Sequence, residues 1–312
     1  MNYIKRSEYM KYNQWLREWL DFYVKPTVKI STIKKYERFV KGYLVPELGD
    51  YEINELTPVL LQRFAVGLSE KGLSSGTVNL YLSIVKASLR RASLSGVADK
   101  DYSTVIVRPR LREKRVESFS KEEQKMIERY ILEKGDTRLF GIIVCLYTGL
   151  RIGELLALEW VDIDLHKGTL SVLKTCTDSW VGGHYVKLLD TPKTASGLRT
   201  IPIPKDLQPI FYEMQRKSDS RFVISARTEH GAQIRSYQRS FELLLKRLGI
   251  AHKSFHSLRH TFATRALECG MDVKTLSELL GHSDPTVTLR RYAHSMLEHK
   301  TEMMNRVGRL LK

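Results

Sequence analysis

Apolar residues recur at helical spacing through the first hundred positions of the chain. Trp15, Leu16, Trp19, Leu20 and Tyr23 share one face, and Pro26 closes that stretch. Ser31 is placed to cap a second helix carrying Ile33, Tyr36, Phe39, Val40 and Tyr43. Thr57-Pro58 opens a third, with proline at the first position, where its missing N–H has no helical partner to lose. Ser74-Ser75-Gly76-Thr77 precedes a fourth, with Val78, Leu82, Val85 and Leu89 on one face and Lys86, Arg90 and Arg91 nearby. With no β-rich run among them, residues 7–105 predict a small all-α domain.

Residues 106–116 follow as a basic linker, part of the run VIVRPRLREKRV that begins at Val105. Its alternatives are a solvated loop and a strap laid along a polyanion, and the strap suits a basic protein better. The pattern then changes. Ser120-Lys121-Glu122-Glu123 is a capping box that starts a helix to about Lys134, and the apolar run from Leu139 to Leu150 reads as a buried core helix. Three short β-prone runs come next, Thr169–Lys174, His184–Leu189 and Arg199–Ile203, separated by turn-prone segments such as Pro192–Gly197. Helices resume at about Lys205–Arg216, Ser236–Leu248, Ser257–Cys269 and Asp272–Leu280, with Gly249 and Gly270 as C-terminal stops. There is no internal repeat. Residues 117–312 are therefore expected to be mainly helical with a small antiparallel sheet, an α+β rather than an alternating βαβ layout.

Composition sharpens this picture. A chain of 312 residues exceeds one ordinary core and favours two domains. No apolar run approaches the ~20 residues of a membrane span, and the N-terminus lacks a signal-like apolar stretch. Cys145, Cys176 and Cys269 are scattered, so neither a disulfide framework nor a cysteine metal site is indicated, and an intracellular, cytoplasmic protein is expected. The formal net charge is +16, with 21 basic against 12 acidic residues up to Arg115 and 30 against 23 after it. A positive excess spread over both parts suits a polyanionic partner such as nucleic acid, whose condensed counterions are released on binding.

Three segments set charged or polar residues in apolar frames: TGLRIGELLAL (148–158), HSLRHTFAT (256–264) and LGHSDPTVTLRRYAH (280–294). Arg151 needs an anion or a carboxylate, because an unpaired desolvated guanidinium is costly; taken alone, a structural ion pair with Glu154 is the simpler account. His256 and Arg259 are three apart and share a helix face, within reach of one phosphate. His256 and His260 have the spacing of a zinc pair, but the glutamate of HExxH is missing and no third ligand is evident, so no metal is expected and His260 reads as structural. His282 follows Gly281, and Asp284-Pro285 reads as the start of another short helix. Tyr292, beside Arg290-Arg291, would by itself pass for a core tyrosine.

The order of these residues resembles the catalytic domain of the tyrosine recombinases, the phage integrase family. The family's first arginine matches Arg151 and its hairpin lysine Lys193. Its HxxR pair matches His256 and Arg259, its late histidine His282 and its nucleophile Tyr292. The helical run before them resembles the family's core-site DNA-binding domain, a SAM-like bundle, while the stretch before residue 7 leaves no room for an additional arm-binding domain. The resemblance implies that Arg151 and Arg259 clamp a scissile phosphodiester, and that Tyr292 attacks it to give a 3′-phosphotyrosine. It also implies that His256 assists removal of the phenol proton, Lys193 protonates the leaving 5′-oxygen and His282 hydrogen-bonds the phosphate. It implies no metal, no ATP and no other cofactor. The implied partners are double-stranded DNA bearing paired inverted-repeat core sites, further copies forming a homo-tetramer on DNA from monomers in solution, and an accessory bending or excision factor. A tail helix over 293–312, with Met296, Met303, Val307 and Leu310 along one stripe, is expected to dock on a neighbouring protomer or fold back on its own domain. Integration or excision of a mobile element is the expected task. Chromosome resolution, DNA inversion, a type IB topoisomerase and a non-catalytic DNA-binding regulator are the alternatives.

Overall fold

At two helix starts in the N-terminal part a short polar side chain takes up an N–H group that the helix itself leaves unpaired, and the described part as a whole is a run of helices. In the computed structural model these are α1 (Tyr12–Glu18), α2 (Ile30–Phe39), α3 (Val45–Leu48), α4 (Pro58–Glu70) and α5 (Ser75–Leu94). Thr57 Oγ1 accepts from the Leu60 N–H at 3.3 Å and Ser74 Oγ from that of Thr77 at 3.2 Å, so each caps the helix that the sequence starts there. Ser31 is not a cap. The second helix begins two residues earlier than such a cap would start it, at Ile30, behind Lys29 in an extended conformation with no side-chain cap. Both α1 and α2 run on into π-helical turns, Trp19–Val24 and Val40–Leu44, that periodicity does not reveal. The structure describes residues 10–110, 117–181, 184–192, 194–225, 231–286, 301, 304–305 and 307–309.

The chain divides into two compact units, Met1–Lys114 and Arg115–Lys312. In the first, Trp15, Leu16, Phe39, Leu44, Leu82 and Val85 are among the buried core. Ser88 accepts from both the Tyr12 hydroxyl and the Trp15 indole at 3.2 Å, so these polar groups go into the core satisfied. The first residues after 105 belong to this unit. Ile106 is buried, the Val107 N–H donates to Gln62 at 2.9 Å, and the Pro109 carbonyl accepts from Asn79 at 3.0 Å. Residues 111–116 of the basic run lie outside the described residues.

The second unit opens with α6 (Lys121–Lys134), whose capping box between Ser120 and Glu123 closes in both directions; a Ser→Ala change at such a cap costs ~1 kcal/mol. Next comes α7 (Phe140–Thr148), apolar on every side and so confined to the core. After α8 (Ile152–Ala157) the described residues form five strands rather than the three β-prone runs of the sequence: β1 (Ile163–Asp164), β2 (Thr169–Val172), β3 (Thr175–Val181), β4 (His184–Asp190) and β5 (Arg199–Pro202). They form two antiparallel sheets, β1-β2-β5 and the hairpin β3-β4, in which Asp178 lies opposite Lys187. Leu170, Val172 and Ile201 turn one face of the first sheet into the core. Then follow α9 (Gln208–Arg216), α10 (Ile234–Arg247), α11 (His256–Glu268) and α12 (Val273–Leu280). Gly249 and Gly270 stop α10 and α11 in left-handed conformations, φ 67° and 86°, as their C-terminal positions require. The unit is thus α+β and mainly helical. Cys145, Cys176 and Cys269 are all free thiols, and among the described residues no helix is long and apolar enough to cross a membrane.

Candidate active site

The site grows from two helix ends that stop on left-handed glycines. Helix α7 stops at Gly149 (φ 66°), and the chain turns through Leu150 to Arg151, whose extended backbone leads into α8. An arginine cannot accept the N–H groups of a helix start. The carboxylate of Glu154 turns back instead, taking the Arg151 backbone N–H at 2.9 Å and its Nη1 at 2.7 Å. Nη2 of Arg151 reaches the Gly281 carbonyl at 3.3 Å, and the side chain remains 38% exposed. The ion pair that Arg151 suggests on its own is therefore real, and it holds the guanidinium against the second helix end.

That second end is the C-terminus of α12. Gly281 (φ 64°) closes it in a Schellman pattern, with the His282 N–H on the Ser277 carbonyl and the Gly281 N–H on that of Glu278, both at 3.0 Å. Arg259, one turn into α11, comes up beneath. Its side chain is almost wholly buried, with Nη1 on the Gly149 carbonyl at 2.9 Å and Nη2 on the Leu280 carbonyl at 2.6 Å. Nη2 also meets His282 Nε2 at 2.8 Å. A guanidinium only donates, so Nε2 accepts and the imidazole carries its proton on Nδ1. Arg151, more than a hundred positions upstream of the other two, is thus joined to Arg259 and His282 through two backbone turns.

The remaining expected residues fall differently. His256, at the first position of α11, is exposed, its ring edge-on to that of the buried His260 at 4.5 Å. Among the described residues no three His, Cys, Asp or Glu side chains cluster as metal ligands would. Lys193 and Tyr292 lie outside the described residues, as does most of the expected tail helix; within the tail, Val307 is helical and half-exposed. Asp284 accepts from the Thr286 N–H at 2.8 Å, and the residues beyond Thr286 over which the expected short helix would run lie outside the described residues. Lys187, the next lysine that could serve as an acid, is committed elsewhere. Its Nζ donates to the Leu156 carbonyl at 2.6 Å and sits 3.8 Å above the Phe222 ring, and this burial lowers its pKa from the ordinary lysine value.

One participant escaped the sequence reading. Arg199, at the start of β5, pairs with Glu154 through Nη2–Oε2 at 2.8 Å and Nη1–Oε1 at 3.2 Å. Burial works to raise the Glu154 pKa, but the hydrogen bonds and charges of Arg199 and Arg151 outweigh it and hold the carboxyl below its usual range. The signal for Arg199 was its phase: two and four residues before Ile201 and Ile203, it lies on the strand face that goes into the core.

The signature of the phage integrase family matches residues 109–299, and that of the phage integrase N-terminal SAM-like domain matches residues 11–69. The chain is 30% identical to a tyrosine recombinase XerC-like protein of Caldanaerobacter subterraneus subsp. tengcongensis, over 95% of this chain and 82% of that protein. It is 26% identical to the transposase from transposon Tn916 of Enterococcus faecalis, over 92% of this chain and 76% of that one. A solved structure of the Tn1549 transposon integrase in complex with a circular intermediate DNA superimposes with a TM-score of 0.82 at 24% identity, covering 96% of this chain and 99% of that one.

Proposed function

The chain belongs to the phage integrase family, tyrosine recombinases that cleave and rejoin DNA with a tyrosine nucleophile, and from that premise we propose the following assignment for its residues. Arg151 and Arg259 clamp the non-bridging oxygens of a scissile DNA phosphodiester and stabilise the charge that builds up in its five-coordinate transition state. Tyr292 attacks phosphorus, its bond to the 5′-oxygen breaks, and the products are a 3′-phosphotyrosine and a free 5′-hydroxyl. A phenol of pKa ~10 needs help to lose its proton near neutrality, and His256 takes that proton. Lys193 delivers one to the departing 5′-oxygen. His282, with its proton on Nδ1, donates to the phosphate. The phosphodiester energy is kept in the protein–DNA bond, so a 5′-hydroxyl from a partner strand can reverse the step without ATP or metal.

The observation that carries this reading is the pair of neighbouring carbonyls, Leu280 and Gly281, that receive Arg259 and Arg151, with His282 next along the chain and itself bonded to Arg259. Two guanidiniums and an imidazole held around one helix end suit a phosphodiester. The same proposal takes the partner as double-stranded DNA with paired inverted-repeat core sites, bound by four copies at synapsis and assisted by a bending or excision factor. The task is integration or excision of a mobile element, a reading supported by the resemblance to the Tn916 transposase. A second reading, chromosome resolution, is favoured by the resemblance to the XerC-like protein. Amplification across the junction of an excised circle from host cells separates the two.

The chemistry is tested on a nicked suicide duplex in excess EDTA. The wild-type chain should become attached to DNA in an SDS-resistant form, and Tyr292→Phe should bind equally well yet form no adduct. Attachment of the phenylalanine variant, or loss of the wild-type adduct on chelation with binding intact, would sink the assignment.

A further inference from the structure

Helix α12 ends with more carbonyls than its own backbone can satisfy. The Schellman turn uses Ser277 and Glu278, which leaves the carbonyls of Leu279, Leu280 and Gly281 at the negative end of the helix. Each is met by a different arginine: Leu279 by Arg199 Nε at 2.6 Å, Leu280 by Arg259 Nη2 and Gly281 by Arg151 Nη2. Two of these arginines belong to the assigned phosphate clamp. The third, on β5, is spent within the fold. Beyond Leu279 and Glu154 it also donates to the Gly197 carbonyl at 3.1 Å, and its side chain is only 6% exposed.

We infer that Arg199 is a positioning residue for the cleavage reaction, acting through Glu154 to hold Arg151 and through the end of α12 to hold the neighbouring carbonyls of Leu280 and Gly281, which receive Arg259 and Arg151 respectively. The inference rests on the assignment of Arg151 and Arg259 as the phosphate clamp. Glu154 has two oxygens and three donor groups around it. With Arg199 on both oxygens, the carboxylate cannot swing, and Arg151 is held in the one orientation that also reaches Gly281. A neutral residue at 199 would leave Glu154 tied to Arg151 alone and the Leu279 carbonyl without its donor. A single lysine ammonium could not replace a planar fork that spans a carboxylate and two carbonyls.

The test compares Arg199→Ala, Arg199→Lys and Arg151→Ala on two nicked duplexes, one with an ordinary scissile phosphodiester and one with a neutral methylphosphonate there. Loss of an interaction that only orients the clamp should slow adduct formation about 100-fold on the phosphodiester. On the methylphosphonate, which has no anionic oxygen pair to clamp, the gap between Arg199→Ala and wild type should shrink markedly, as it should for Arg151→Ala. Arg199→Lys should show the same pattern at smaller amplitude, and adding Arg199→Ala to Arg151→Ala should slow the reaction little further. Melting temperature and gel-shift affinity are read alongside. If Arg199→Ala does not fold, Arg199→Lys decides. Equal slowing on both substrates, or wild-type rates on the phosphodiester, overturns the positioning role. Failure of the wild-type chain to form any adduct would instead overturn the clamp assignment itself.

Discussion

Replacing Gly149 by alanine separates the two demands that the end of α7 makes on its residue. The first is backbone: φ is +66°, in the left-handed region, where an alanine costs about 1–2 kcal/mol. The second is space. A Cβ built on Gly149 would lie 2.5 Å from Cδ1 of Phe262 and 2.8 Å from Cδ2 of the fully buried Leu280. Forcing a methyl group into such packing costs about 1–3 kcal/mol more. Gly249 supplies the control in the same unit, with φ +67° and nothing within 4 Å of its would-be Cβ. Gly249→Ala should therefore lose only the backbone share. At about 2–4 °C per kcal/mol in a unit of this size, the two variants should differ in melting temperature by about 2–12 °C in scanning calorimetry of the intact chain. Activity should separate them as well. The Gly149 carbonyl accepts from Arg259, so displacing that turn should slow adduct formation about 100-fold, while Gly249→Ala stays near wild type. Equal melting shifts for the two variants would refute the claim that α11 and α12 close directly on this turn.

Glu154→Gln breaks a buried ion pair from one side and should cost about 3–5 kcal/mol near neutral pH in calorimetry. Because the folded carboxyl has a lowered pKa, this contribution is complete above the ~4.3 of an unfolded glutamate and fades as pH falls through the lower folded value. The gap to wild type should therefore narrow in acid; a gap that widens on acidification would contradict the direction of the shift. Lys193→Ala should cleave ordinary DNA slowly and regain its rate on a 5′-bridging phosphorothiolate, whose thiolate leaves without a proton; equal defects on both would place the acid elsewhere. Ending the chain after Leu297 should leave single-site gel shifts unchanged but abolish recombination between paired sites, if the tail docks on a neighbour. Recombination at the normal rate would show the tail to be dispensable, and an insoluble product would mean that it folds back on its own unit.

Caps and stops were legible because they are local. Thr57, Ser74, the Ser120–Glu123 box, Gly249 and Gly270 each act within a turn of their own position, and the structure has all of them. Ser31 misled because a serine one residue inside a helix looks the same in sequence as one that caps it. Strand β3 was missed since Thr175, Thr177, Asp178 and Ser179 give it a polar character; its place depends on pairing with β4, where Lys187 lies opposite Asp178. The sequence order of Arg151, His256, Arg259 and His282 pointed to the site, and the structure joins three of these four through Gly149, Leu280 and Gly281. Arg199 could be flagged by its phase with Ile201 and Ile203. Its partners, however, come from α8 and from the end of α12, 45 and 80 positions away, and no local pattern encodes their meeting.

The central claim is that a tyrosine supplied by this chain attacks the phosphate held by Arg151 and Arg259. Mass spectrometry of the protease-digested covalent adduct, trapped on a nicked substrate, reads it directly. The account predicts a nucleotide joined through its 3′-phosphate to the peptide containing Tyr292, with the released strand ending in a 5′-hydroxyl. A nucleotide on any other residue, or a linkage through a 5′-phosphate, would contradict it.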